Sequence, residues 1–304
     1  MALSPADGDA TENSEAQQAI IFDKTTEKGS DGQLFQACMK SIRMSHASAN
    51  RLRTGLIVAG LFTDKRMYLE AIVLFYAATD AMEKKLLALD ESRSNDSEDQ
   101  GDEICAKLLS LGYRFGPQYE QDIQGLVSGD KGSSNWEAAV EKILANSSDG
   151  AKAYVEKIRN MSSGAELAGA AFCLWGALII GGGAAAKPRV QVLCGKNACH
   201  LFEDVTGPGR GERKAKFIQL WDSLVKGATD DCSSSEEETK KDNETFTLIV
   251  ATCQDCMQGN NELITSVKCN PWWLKYMIST AVGAVAIGAF LLLPAQRADR
   301  HKLM

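Results

Sequence analysis

The chain has 304 residues, of which 44% are hydrophobic and 24% charged, and its formal net charge is -7. These values are typical of a globular protein with a sizeable core, and the acidic balance argues against a nucleic-acid-binding surface. Its nine cysteines lack the dense spacing of a secreted disulfide scaffold, and the polar N-terminus lacks the apolar segment of a signal peptide. We therefore expect most of the chain to lie in a reducing compartment.

The periodicity of apolar residues predicts an all-α protein. Residues 1–30 are rich in Asp, Glu, Ser, Thr and Gln, which is typical of a disordered acidic arm. Residues 31–268 are predicted to form one helical domain, with a first helix from residue 32 and others over 66–89, 104–111, 135–144, 151–161, 212–226 and 246–267. A turn is predicted at 112–117 and a mobile acidic insert at 228–244, and no segment predicts a strand.

One uncharged stretch, residues 167–186, lies in the middle of the chain and reads LAGAAFCLWGALIIGGGAAA. If it crossed a membrane, the amphipathic helices before and after it would be separated, with no partners for their apolar faces. We therefore interpret it as a buried central helix. The glycines in its second half, Gly176, Gly181, Gly182 and Gly183, indicate tight helix packing or a platform for a ligand, and the residues alone favour neither.

A second stretch, residues 276–293, is apolar throughout and lies close to the C-terminus. Trp272 and Trp273 precede it at an interfacial position, and Lys275 can extend its amine toward the headgroups. We expect a transmembrane tail anchor over residues 271–294, followed by a short tail at 295–304, with the domain facing the cytosol. A buried C-terminal helix is the alternative.

Only one of the three histidines, His46, falls on the predicted apolar face of a helix. That face repeats at helical spacing through Leu34, Cys38, Ile42, His46 and Ala49. A lone histidine in such a place is commonly a satisfied core residue. The nearby cations Lys40 and Arg43 favour another role, because an axial ligand of an anionic macrocycle is best accompanied by charges that pair with its carboxylates.

Several segments, taken in order, resemble the heme oxygenase family over roughly residues 34–267, and the anchor resembles that of its membrane-bound members. They are SHASAN around His46, LFYAATDAMEKKL (74–86), FGPQYEQDI (115–123), AYVEKIRNM (153–161), LWGALIIGGG (174–183) and KFIQLWDSL (216–224). The resemblance implies a helical fold that holds heme between the first helix and the glycine-bearing helix. It also implies that His46 is the axial ligand of the heme iron.

The resemblance assigns further positions on both sides of the heme. Asn50 stands where the family has a glutamate after the ligand histidine, and Lys40, Arg43 and Lys216 are expected near the propionates. On the opposite side, the resemblance places three glycines over the ring and either Ala177 or Leu178 in the position of the family's aspartate. The candidate catalytic positions are thus Gly176, Ala177, Gly181 and Gly182.

The implied activity is oxidation of heme, as both cofactor and substrate, to biliverdin, carbon monoxide and ferrous iron. It uses O2 and electrons that a membrane-bound, NADPH-dependent flavoprotein reductase supplies. The resemblance favours the endoplasmic reticulum membrane, and the mitochondrial outer membrane is the alternative. Because the distal carboxylate is replaced and Asp222 occupies a position that is basic in the family, the second hypothesis is a membrane-bound protein that binds or senses heme without opening it.

Two weaker signals remain. Cys253 and Cys256 form a CxxC pair, but they lie in a helical pattern without a second pair, which disfavours a zinc site. Glu70, Asp80 and Glu83 lie on one predicted helix, and we interpret them as solvated carboxylates that support salt bridges.

Overall fold

The computed structural model describes residues 33–93, 101–128, 135–181, 183–195, 198–225 and 236–268. The regular elements in these ranges are helices, and no strand occurs among them. In chain order they are α1 (Gln33–Ala59), α2 (Lys65–Arg93), α3 (Gly101–Ser110), α4 (Gly116–Ser128), α5 (Trp136–Ala145), α6 (Asp149–Arg159), α7 (Gly164–Ile179), α8 (Gly183–Cys194), α9 (His200–Val205), α10 (Arg210–Leu224) and α11 (Glu236–Ser266). The predicted all-α class is confirmed for the part of the chain that the structure describes.

Helix α7 is the centre of the domain. It packs against α2 and α3 on one side and against α10 and α11 on the other. From Gly164 to Gly176, every residue except Glu166 is buried, so the predicted central helix is confirmed. Ser163 and Glu166 start this helix with a capping box, in which each side chain binds the other residue's backbone N–H.

The uncharged stretch does not form one continuous helix. Helix α7 ends at Ile179, and α8 begins at Gly183. The N–H of Gly181 donates to the carbonyl of Gly176, and a Cβ at residue 181 would overlap the carbonyl oxygen of Ala177. Glycine is therefore required at this break because the chain turns back against its own last helical turn.

Helices α7 and α11 approach each other closely at Gly169, a glycine that is not among the candidate site residues. A Cβ at Gly169 of α7 would lie 2.6 Å from Cβ of Thr252 and 2.9 Å from the backbone nitrogen of Cys253, both on α11. The thiol of Cys173 donates to the carbonyl of Cys253 at 3.2 Å across the same contact. Cys253 and Cys256 are fully buried, and no metal-binding group of three or more His, Cys, Asp or Glu side chains occurs among the described residues.

Three helices, α4, α8 and α9, were not predicted, and α11 begins earlier than predicted. Helix α11 begins at Glu236, so residues 236–244 are helical and do not belong to a mobile insert. Glu and Lys are good helix formers, and Lys240 lies 4.0 Å from Glu244 in an i,i+4 pair. Helix α4 was not predicted, because the proline at position 117 was interpreted as part of a turn; it lies instead in the first turn of the helix, where a missing N–H is tolerated.

The predicted N-terminal arm and the predicted tail anchor lie outside the described residues. Among the helices that the structure describes, none is both long enough and apolar enough to cross a membrane.

Candidate functional site

His46 lies on the exposed side of α1 and not in its buried stripe. The buried side chains of this helix include Cys38, Ile42 and Ala49. Between them, the carbonyl of Ser45 accepts a hydrogen bond from Asn261 of α11 at 3.2 Å. The buried positions 38, 42 and 49 and the hydrogen-bonded position 45 follow a four-three-four spacing, which is that of one helix face. His46 lies beside this face and is exposed.

The imidazole of His46 is the first of three polar side chains that form a hydrogen-bonded row on α1. Its Nδ1 lies 3.4 Å from Nδ2 of Asn50, and Oδ1 of Asn50 accepts a hydrogen bond from Nη2 of Arg53 at 2.9 Å. Partial burial of the ring and, second, the positive charge of Arg53 lower the pKa of His46 below its ordinary value. His46 is nevertheless exposed to solvent. The lowered pKa favours the neutral form of the ring, which is the form that binds metals.

The cations expected near a bound anion lie on two helices. Lys40 and Arg43 are exposed on α1, within two turns of His46. Lys216 lies on α10, which packs against both α1 and α7, and its amine binds the carboxylate of Glu212 at 2.8 Å. Lys40 and Arg43 therefore share a helix with the imidazole, whereas Lys216 already has an anionic partner.

In the glycine-bearing half of α7, only the last turn of the helix is accessible. Gly176 is buried, and a Cβ there would lie 3.4 Å from the Phe217 ring, so this glycine packs on α10. Ala177 is exposed, and Leu178 and Gly181 are partly exposed. Gly182 lies outside the described residues. Of the four candidate catalytic positions, the structure therefore leaves Ala177 and Gly181 accessible to a ligand.

An aromatic cluster joins α1, α7 and α10. Phe217 and Trp221 of α10 stack with ring centroids 4.2 Å apart, and Trp221 meets Phe172 of α7 edge-on at 5.5 Å. Phe172 in turn lies 5.4 Å from Phe35 of α1. The indole N–H of Trp221 is buried without a hydrogen-bond partner. The aromatic spacing in KFIQLWDSL indicated an apolar face for α10, but it gave no sign of this unsatisfied donor.

Glu83 corrects the expectation that the carboxylates of α2 are solvated. It is 4% exposed, and its Oε1 accepts hydrogen bonds from the N–H of Phe115 at 2.8 Å and from the indole N–H of Trp175 at 3.2 Å. Its Oε2 accepts from the N–H of Gly116 at 3.1 Å. Burial raises the pKa of Glu83, although these donors oppose the shift. Glu83 thus connects α2 to the start of α4 and, through Trp175, to α7.

Asp80 of α2 forms a salt bridge at the helix surface, as predicted. Its carboxylate binds the amine of Lys84 at 2.8 Å, one turn later on the helix surface. Glu70 instead accepts a hydrogen bond from the backbone N–H of Lys268 at 2.9 Å. Of the three carboxylates, Glu83 alone is buried.

Two solved structures have a similar fold. Heme oxygenase 2 from Chlamydomonas reinhardtii, crystallised without heme, is 22% identical, with a TM-score of 0.59 over 78% of this chain and 98% of that one. Heme oxygenase-1 from the cyanobacterium Synechocystis, in complex with heme, is 17% identical, with a TM-score of 0.52 over 84% of this chain and 99% of that one. At these identities the likeness shows the heme oxygenase fold alone. No protein-family model and no curated protein matches the sequence.

Proposed function

We propose that this protein binds heme between α1 and the last turn of α7, with His46 as the axial ligand of the iron, and that it acts as a heme oxygenase. The observation that carries this proposal is the exposed imidazole of His46 on α1, whose lowered pKa favours the neutral form. The fold, which solved heme oxygenases share, supports the same location.

The residues at the site fit a heme. A neutral histidine nitrogen is a good ligand for iron, and the exposed, uncharged Ala177 offers an apolar surface to a porphyrin face. Lys40 and Arg43 have the sign of charge that carboxylate groups require, and Lys216 can join them if it leaves Glu212. The buried indole N–H of Trp221 is a further donor that still lacks a partner.

When bound, heme would supply the oxidative chemistry and, with O2 and electrons from an NADPH-dependent reductase, would itself be the substrate that yields biliverdin, carbon monoxide and ferrous iron. The chain contributes binding and orientation. His46 would provide the ligand nitrogen, and the lack of a side chain at Gly181 keeps the surface beside Ala177 free of bulk. The aromatic cluster around Trp221 excludes water from the neighbouring core.

One observation favours a second function, heme binding or sensing without ring opening. The exposed position in the last turn of α7 is Ala177, whose side chain can neither hold a water molecule nor transfer a proton. If no other group supplies a hydrogen bond there, the chain binds heme but activates O2 poorly.

A hemin titration followed by a turnover assay separates these functions. The full chain, purified in detergent, is titrated with hemin beside His46→Ala and the matched control His200→Ala. We expect a Soret band for the wild type and the control, and at least a tenfold loss of affinity for His46→Ala. Equal affinity of all three proteins would contradict the proposed ligand. Reductase, NADPH and O2 are then added; biliverdin supports the oxygenase, and bound but unchanged heme supports the second function.

We also propose that residues 271–294 anchor the chain in the endoplasmic reticulum membrane, on the basis of the apolar sequence and its tryptophan pair. Glycosylation tags inserted after residue 195 and after residue 304 test this arrangement. We expect the C-terminal tag alone to be modified. Modification at 195 would contradict the cytosolic domain. With neither tag modified, co-fractionation with mitochondria would support the alternative membrane.

A further inference from the structure

The hydrogen-bonded row of side chains on α1 determines which atoms donate and which accept around His46. Nη2 of Arg53 lies 2.9 Å from Oδ1 of Asn50, and Nδ2 of Asn50 lies 3.4 Å from Nδ1 of His46. All three residues are on one helix, at spacings of four and three, so the helix itself keeps them adjacent.

The chemistry of these groups fixes the direction of the hydrogen bonds. A guanidinium group only donates, so the Asn50 atom that faces Arg53 must be its carbonyl oxygen. The amide nitrogen of Asn50 therefore faces the imidazole, and an amide nitrogen also only donates. Nδ1 of His46 must then accept, which leaves the single proton of the neutral ring on Nε2.

This arrangement is the opposite of the one that favours metal binding. A histidine that binds a metal usually donates its other N–H to a carboxylate or carbonyl, which fixes the tautomer and strengthens the ligand. Here Nδ1 is already engaged, and Nε2 carries a proton where a metal would need a lone pair. For Nε2 to bind iron, its proton must pass to water while Nδ1 takes one up, so the ring undergoes no net change in protonation. The new Nδ1–H then faces the Asn50 amide nitrogen, and two donors oppose each other.

We propose that Arg53 is a positioning residue that holds the Asn50 amide so that the resting His46 carries its proton on Nε2, and that heme binding requires this amide to flip. The flip brings Oδ1 of Asn50 to Nδ1–H and breaks the hydrogen bond to Arg53, which is exposed and can be solvated. The assignment of the resting tautomer does not depend on a bound ligand, whereas the amide flip rests on the proposed function.

Nitrogen-15 NMR of histidine-labelled full chain in detergent, without heme, tests the tautomer directly. The chain has three histidines, so His46→Ala identifies the signals of interest. The measurement is made near pH 8, where an ordinary imidazole is neutral. We expect Nδ1 of His46 to show the shift of an unprotonated nitrogen. Asn50→Asp, whose carboxylate can only accept, should move the proton to Nδ1, and Arg53→Met should shift the population the same way. Arg51→Met, on the same helix, is the charge-matched control and should change nothing.

A wild-type signal from protonated Nδ1, or an Arg53→Met spectrum identical to that of the control, would overturn the proposal. Hemin titration of the same proteins tests the amide flip. Because partners of metal ligands change metal affinity by about 10–100-fold, Asn50→Asp should bind hemin about tenfold more tightly than the wild type. An unchanged hemin affinity of Asn50→Asp would refute the amide flip. If hemin does not bind through His46 in any variant while the NMR result is as expected, the proposed function fails and the tautomer assignment stands.

Discussion

Replacing Glu83 by glutamine tests how the central helix is held in place. The carboxylate is buried, and it accepts hydrogen bonds from the N–H groups of Phe115 and Gly116 and from the indole of Trp175. Glutamine has nearly the same shape, so it creates no cavity. With its oxygen in place of Oε1, it keeps the bonds from Phe115 and Trp175. Its NH2 group then faces the N–H of Gly116, where a donor meets a donor.

The expected loss of stability follows from that conflict and, to a smaller extent, from the lost ion pair with Arg114, whose Nε lies 3.7 Å from Oε2 and whose side chain is 49% exposed. One hydrogen bond to a charged group contributes about 1.5–3 kcal/mol, and removal of the buried charge offsets part of its loss. We therefore expect Glu83→Gln to lower the free energy of unfolding by about 2 kcal/mol. For a domain of this size, that corresponds to about 4–8 °C in Tm. Glu83→Ala leaves all three donors without a partner and should lose about twice as much.

Urea unfolding followed by circular dichroism measures the effect. Glu156→Gln is the matched control, because Glu156 is 59% exposed and pairs with Arg159 on the surface of α6. Such pairs contribute about 0.5 kcal/mol or less. If Glu83→Gln shifted the midpoint no more than the control, the carboxylate would not be the connection between α2, α4 and α7 that its contacts indicate.

Three further substitutions test the packing of the helical domain. Gly169→Ala should destabilise the protein by about 2 kcal/mol, because the added methyl group meets Thr252 and the backbone of α11; an unchanged Tm would contradict the close contact. Gly176→Ala should be neutral or raise stability by up to about 1 kcal/mol, since its methyl group reaches only ordinary contact distance and alanine favours the helix; a Tm loss as large as that of Gly169→Ala would refute this. Asp122→Ala removes the acceptor of two N–H groups at the start of α9 and should lose about 3 kcal/mol in the same urea assay, whereas a loss below 1 kcal/mol would show that water replaces it.

The sequence predicted the features that depend on local pattern. The uncharged stretch was interpreted as a buried helix, and α7 is buried from Gly164 to Gly176 except at Glu166. The capping box of Ser163 and Glu166 begins this helix. The prediction succeeded because burial is encoded by adjacent residues along one helix.

The predictions that failed depend on neighbouring helices. His46 was assigned to the apolar stripe of α1 by a spacing of four residues, but α11 contacts Ser45 and His46 is exposed. Glu83 was assigned to solvent, because nothing in α2 itself reveals the N–H groups that α4 and α7 supply. No periodicity within one helix contains this information.

The glycines show the same limit. Gly176 was expected over a ligand, and the structure packs it against Phe217 of α10. Gly169 was not singled out, yet it lies where α7 comes close to the backbone of α11. A glycine in a sequence indicates that something comes close to the backbone, but only the tertiary structure identifies what that is.

The central claim is that His46 is the axial ligand of a heme. Resonance Raman spectroscopy of the ferrous heme complex of the full chain measures the iron–histidine stretching band directly. We predict that this band is present in the wild type and in His200→Ala and absent in His46→Ala. A band that persists in His46→Ala, or a wild-type complex without one, would contradict the account.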